Sequence, residues 1–155
     1  MAAIGYSDGT ECVFPFSSYL CTLVGRTTLM KKNQALVLFA HGARDPRWAI
    51  PFQRLVERAR NKRPDVSVSL AFLELMEPRL PAVVTELVQS GHEKISIVPV
   101  FLGQGGHVLR DLPPLIEELR ETFPQLEISL SHAVGEDESV QESIADYCLR
   151  TIADC

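Results

Sequence analysis

Ile95-Ser-Ile-Val-Pro-Val-Phe-Leu-Gly-Gln-Gly-Gly-His107-Val-Leu-Arg-Asp111 decides how the rest of the chain is read. The largely apolar run over 95–102 has the length of a buried strand. It breaks at Gly103, Gly105 and Gly106, reaches His107, and gives way to a helical pattern. An echo lies upstream in Ala35-Leu-Val-Leu-Phe-Ala-His41-Gly-Ala-Arg-Asp45. Two strands therefore each deliver a histidine at the carboxyl end, the edge at which open α/β sheets bind ligands.

Working outward, the pattern alternates. Strands are expected over 35–40, 66–73, 94–100 and 126–131, and helices over 47–61, 81–89, 112–122 and 138–152. Asp45-Pro46 supplies a cap and first-turn proline for the first helix, with Ile50, Leu55, Val56 and Ala59 facing inward. Ser90-Gly91 stops the second helix. Asp111 with Pro113 or Pro114 marks the start of the third. Four βα units with short connections predict an α/β fold: a flavodoxin-like, open parallel sheet of about four strands with helices on both faces.

At 155 residues the chain suits one domain and can bury a core without disulfides or metal. Residues 1–29 follow no lasting period and are expected to be a poorly ordered extension or an unused upstream start. The single domain is expected over 30–155. The apolar stretch over 13–24 is too short for a membrane span and lacks the basic flank of a secretory signal. A formal charge of −5 with mixed signs excludes a nucleic-acid footprint. The four cysteines form no Cys-x-x-Cys pair, which suits a reducing cytoplasm rather than a zinc or disulfide framework.

His41, Glu74 and His107 follow the first three strands at equal spacings of 33 residues, one βαβ step. If the strand order is 2-1-3-4, strands one and three are neighbours and both histidines line the switch-point crevice. Gly42 lets the backbone approach a ligand there. Arg44, Arg47 and Arg110 lie near the histidines and suit carboxylates or phosphates. The run Gly103-Gln-Gly105-Gly106 could hold an anion at a helix start, but it matches neither dinucleotide nor P-loop fingerprints. His132 follows the fourth strand and is the weaker candidate. His92 reads as a surface residue.

His41-Gly-Ala-Arg-Asp-Pro, Phe72-Leu-Glu-Leu-Met-Glu-Pro78, Val98-Pro-Val-Phe-Leu and Gly106-His-x-x-x-Asp-Leu-Pro113 together resemble the small sirohydrochlorin chelatases of the CbiX/SirB type. The resemblance covers about 35–150. It implies insertion of a divalent metal as substrate, Co²⁺ first with Fe²⁺ or Ni²⁺ as alternatives, into a tetrapyrrole, without an organic cofactor. It implies that His41 and His107 bind the metal and take up protons; on chemical grounds, apart from the resemblance, a carboxylate such as Glu74 could pass protons onward. Arg44, Arg47, Gly105, Gly106 and Arg110 would hold the substrate. Half-length chains of this type imply a homodimer. Ala43 departs from the usual serine after His-Gly, removing a hydroxyl but no ligand.

The chemistry is coherent, since neutral imidazole both ligates such metals and accepts protons near pH 7. Three other readings compete. A metal carrier would use the same histidines without catalysis. A phosphoryl-transfer enzyme with His41 as nucleophile would want Arg-His-Gly, and Ala40 stands there instead. A receiver domain would need clustered aspartates, which are absent.

Overall fold

The computed structural model describes residues 34–103 and 106–153, with only the backbone described at 106–109, 111 and 153. Residues 1–29 and Gly105 lie outside the described residues.

β1 (Gln34–Ala40), β2 (Ser67–Phe72), β3 (Lys94–Pro99) and β4 (Glu127–Leu130) form one parallel sheet in the order β2-β1-β3-β4. Ala35 pairs with Ser67 on one side and Ile95 on the other, and Ile95 pairs with Ile128. β1 and β3 are thus neighbours, as the two-histidine reading required.

Strand alternation distributes β1 between two layers. Ala35, Val37 and Phe39 pack with Leu80, Val83, Val84 and Leu87 of α2 (Leu80–Gln89) and with Leu112, Ile116 and Leu119 of α3 (Gly106–Thr122). Leu38 packs on the opposite face with Val56 of α1 (Ala49–Lys62) and Val68. Phe39, Ile95 and Ile97 are fully buried, each stabilising the fold by roughly 1.5–3 kcal/mol. Both edge strands lend a carbonyl to an arginine, Val68 to Arg60 Nε at 3.0 Å and Ile128 to Arg120 Nη2 at 3.1 Å. These contacts blunt edges that would otherwise invite pairing.

Several boundaries differ from the sequence expectation. A 3-10 turn, Pro46–Trp48, precedes α1 and sets its phase, so Ala49, Phe52, Val56 and Ala59 face the sheet. Ile50 and Leu55, expected inside, are 42% and 40% exposed. Asp45 does cap this turn, accepting from the Arg47 backbone N–H at 2.9 Å. The Arg47 side chain and that N–H hold the Asp45 carboxyl below the ordinary carboxylate range. The cap therefore stabilises the fold above the usual carboxylate pKa, and its contribution fades as pH falls through the lowered value. α3 begins at Gly106, six residues early, and Pro113 and Pro114 lie inside it. These prolines withhold two backbone donors, which made them read as a helix start.

α4 (Glu138–Ala153) is capped by Asp137, whose Oδ1 accepts from the backbone N–H groups of Ser139 at 2.9 Å and Val140 at 3.2 Å. Residues 141–152 are nonetheless exposed throughout, Leu149 at 64% and Ile152 at 70%. Ser96 and Ser129 bond to each other at 3.0 Å, exposed on the sheet.

His92 is buried rather than on the surface. Its Nδ1 donates to the Leu87 carbonyl at 2.9 Å and its Nε2 meets the Ser67 hydroxyl at 2.9 Å. It ties the end of α2 to the start of β2, at the edge opposite the other histidines. His92→Ala is expected to destabilise the fold by about 1–3 kcal/mol, because buried polar partners are left unmatched. A denaturant midpoint indistinguishable from that of the parent chain would contradict this.

Candidate active site

The carboxyl edge is assembled by loops that continue the strands. Leu73 N–H donates to the Ala40 carbonyl at 2.8 Å and Glu74 N–H to the His41 carbonyl at 3.0 Å. β1 and β2 therefore stay zipped beyond their ends. The segment after β2 then closes on itself, with Phe72 N–H donating to the Pro78 carbonyl at 2.9 Å. The Arg79 guanidinium donates to the Leu73 carbonyl. At the tip Glu74 turns sharply, its carbonyl accepting from Met76 N–H at 2.8 Å while Leu75 adopts φ +63°. A left-handed leucine is held only where its surroundings over-determine it.

The result is a side-chain pair, His41 Nε2 to Glu74 Oε1 at 3.1 Å. Both side chains are partly open, at 37% and 48% exposure. From the β3 side, Phe101 is buried and meets the His41 ring edge-on at 6.3 Å between centroids. Phe101 in turn packs on Phe39 at 6.0 Å. Position 101 belongs to the apolar run and to the Val98-Pro-Val-Phe-Leu motif, and its contact with His41 follows from β1–β3 adjacency, which orders the two aromatic rings beneath the imidazole.

Two glycines allow this closeness. Gly42 has φ +91°, and a Cβ there would lie 1.9 Å from the Glu74 carbonyl oxygen. Gly135, after β4, would place a Cβ 2.1 Å from the Leu102 carbonyl oxygen, and its N–H donates to the Phe101 carbonyl at 2.9 Å. Gly42 was legible from its position after a histidine, whereas Gly135 stood in an unremarked loop.

The remaining expected residues divide. Gly106 and His107 are the first two residues of α3, at the exit from β3 and so beside β1. The His107 side chain lies outside the described residues. Arg110 is exposed in the first turns of α3. Arg44 is exposed too. Arg47 does not present a free guanidinium, since Nε reaches both Asp45 oxygens at 3.0 Å and Nη2 reaches Oδ2 at 2.6 Å. The pair is open to solvent, with the Arg47 side chain 83% exposed. His132 is open to solvent, with Nδ1 3.4 Å from Glu136 Oε2. Among the described residues no three metal-ligating side chains converge, and no helix is long and apolar enough to cross a membrane.

Comparison with known proteins agrees with this architecture. The chain is 35% identical to the sirohydrochlorin cobaltochelatase of Methanococcus aeolicus over 83 residues, covering 54% of this chain and 58% of that one. It thus spans a little over half the length of that relative. Against the sirohydrochlorin cobaltochelatase of Sulfolobus acidocaldarius it is 26% identical, covering 76% of this chain and 92% of the other. A solved CbiX protein from Marinobacter aquaeolei superposes with a TM-score of 0.71 at 29% identity, over 79% of this chain and 99% of its own. The sirohydrochlorin chelatase SirB from Bacillus subtilis, solved with cobalt, gives a TM-score of 0.58 at 27% identity, over 68% of this chain and 45% of SirB. The CbiX family model matches residues 35–150, which carry all four strands, the His41–Glu74 pair and the α3 start, and the chain belongs to the CbiX family.

Proposed function

We propose that this protein inserts a divalent metal, cobalt or iron, into sirohydrochlorin, with His41 and His107 as metal ligands and proton acceptors. The observation that carries the reading is the His41–Glu74 pair at 3.1 Å, set at the switch point beside the exit of β3. A carboxylate behind a ligating histidine fixes its orientation and raises its basicity. Insertion must take two protons from ring nitrogens and strip water from the incoming ion. The imidazole performs ligation and proton uptake, and Glu74 provides the next acceptor toward solvent. Relatives named as cobaltochelatases and one named as a ferrochelatase support either metal. Neutral nitrogen ligands are borderline and accept nickel as well, so supply decides among them.

The working unit in this proposal is a homodimer. This chain covers 45% of SirB, so a second copy supplies the missing half of a macrocycle cleft. The exposed apolar side chains of α4 give the copies a surface to bury. Residues 30–155 form the functional unit and residues 1–29 an extension that the reaction does not use. An exposed free thiol at Cys148 suits a reducing cytoplasm.

The experiment incubates the purified full chain with sirohydrochlorin and Co²⁺, Fe²⁺ or Ni²⁺ and follows the macrocycle absorbance, with light scattering on the same sample. A chain beginning at Met30 is expected to match it in rate and to form a dimer as the full chain does. Tight metal binding without acceleration of the spectral change would make the protein a carrier and end the chelatase reading.

A further inference from the structure

The chain holds one tryptophan, and the fold leaves it 48% exposed at the end of the 3-10 turn. Beside it runs a groove of about 480 Å³ lined by Asp45, Arg47, Trp48, Pro51 and Phe52. The Trp48 and Phe52 rings stand 6.3 Å apart, tilted by 46°. Phe52 packs against a small core of Ala40, Ala49 and Phe72, the last residues of β1 and β2 among them. The groove therefore borders the same sheet edge, on the connection that begins with His41.

We propose that Trp48, backed by Phe52, is a stacking platform for one face of the planar anionic macrocycle, an assignment that rests on the proposed chelatase function. Three observations select this occupant. The lining is mostly apolar, and its one cation is neutralised by Asp45, so the groove reads a flat apolar face rather than a charge. Arg44, exposed on the same connection, stands apart from the Asp45–Arg47 pair and supplies a cation for a rim carboxylate. The groove draws its lining from one short segment, too little for a subunit interface, which takes about 20–30 residues a side. An indole stacks well on any extended π system.

The test titrates metal-free sirohydrochlorin into wild type, Trp48→Ala and Trp48→Phe, reading macrocycle absorbance for Kd, with insertion kinetics, light scattering and circular dichroism alongside. Trp48→Ala is expected to weaken binding by roughly 10-fold or more and to raise KM more than it lowers kcat. Trp48→Phe is expected to recover most of the loss. Wild-type tryptophan fluorescence, which comes from this one indole, is expected to quench as the macrocycle binds. An unchanged Kd and KM in Trp48→Ala would overturn the platform while leaving the chelatase reading intact. Loss of binding only in parallel with loss of the dimer would show instead that the indole seats a second copy, and would overturn it too. Wild type that binds the macrocycle through Trp48 but inserts no metal would sink the chelatase reading and keep the platform. Wild type that binds no macrocycle would remove both.

Discussion

His41→Ala is expected to lower metal insertion by about 100-fold or more, the low end of what a positioned acid–base group contributes, while the fold persists. The side chain stands at a loop and is 37% exposed, so its truncation opens no core cavity. Its loss removes the nitrogen facing Glu74 and the ring resting on Phe101. His107→Ala is expected to act in the same direction and by a similar factor. Glu74→Gln keeps the loop and removes the carboxylate, so its expected effect is smaller, about 10-fold, as for loss of a group behind a ligand. Initial rates with Co²⁺, Fe²⁺ and Ni²⁺, with circular dichroism as the fold control, decide the matter. Wild-type rates in both histidine variants would remove the site assignment. His92, buried and bonded at both ring nitrogens, does not serve as a neutral control; His132, exposed beyond β4, serves better.

Gly42→Ala is expected to be the most damaging small substitution on this edge. At φ +91° an alanine is strained by about 1–2 kcal/mol. Its Cβ would sit 1.9 Å from the Glu74 oxygen, so the two loops must part. Parting breaks the Leu73–Ala40 and Glu74–His41 backbone bonds, at roughly 1 kcal/mol each. The total is on the order of 3–4 kcal/mol, a large share of a typical domain's stability, and Glu74 is carried away from His41 as well. Two glycines calibrate the result. Gly91 has φ +84° but open space around its Cβ position, so Gly91→Ala isolates the backbone strain. Gly103 has open space and no positive φ, so Gly103→Ala should change little. Denaturant midpoints of the three variants test the ordering, and equal losses at Gly42 and Gly91 would show that the loops separate freely.

Much of this was written in the residue pattern. Apolar runs of strand length, closed by His41, Glu74, Gly103 and His132, pointed to four strands and their parallel arrangement. The spacing of 33 residues put His41 and Glu74 at one edge, because βαβ units return every strand to the same direction. What stayed hidden depended on the phase of helices and on partners distant in sequence. A 3-10 turn before α1 rotated Ile50 and Leu55 outward and left Trp48 in the open. Pro113 and Pro114 disguised the interior of α3 as its beginning. His92 looked like a surface residue after a helix stop because Ser67, its partner, lies 25 positions away. α4 carries the spacing of a packed helix, yet its apolar residues meet solvent in the single chain.

The pinned glycines have a mechanical consequence. Gly42 fastens the exit of β1 to that of β2, and Gly135 fastens the exit of β4 to that of β3. The edge is therefore built as two jaws, with the seam between them running along the β1–β3 boundary. Among the described residues the last backbone bond across that seam is Val100 N–H to the Phe39 carbonyl, at 2.7 Å. Above it the His41 and Phe101 rings meet edge-on, a contact that slides where a hydrogen bond would snap. His41 and Glu74 both belong to the β1–β2 jaw, so imidazole and carboxylate stand 3.1 Å apart on one side of the seam rather than across it.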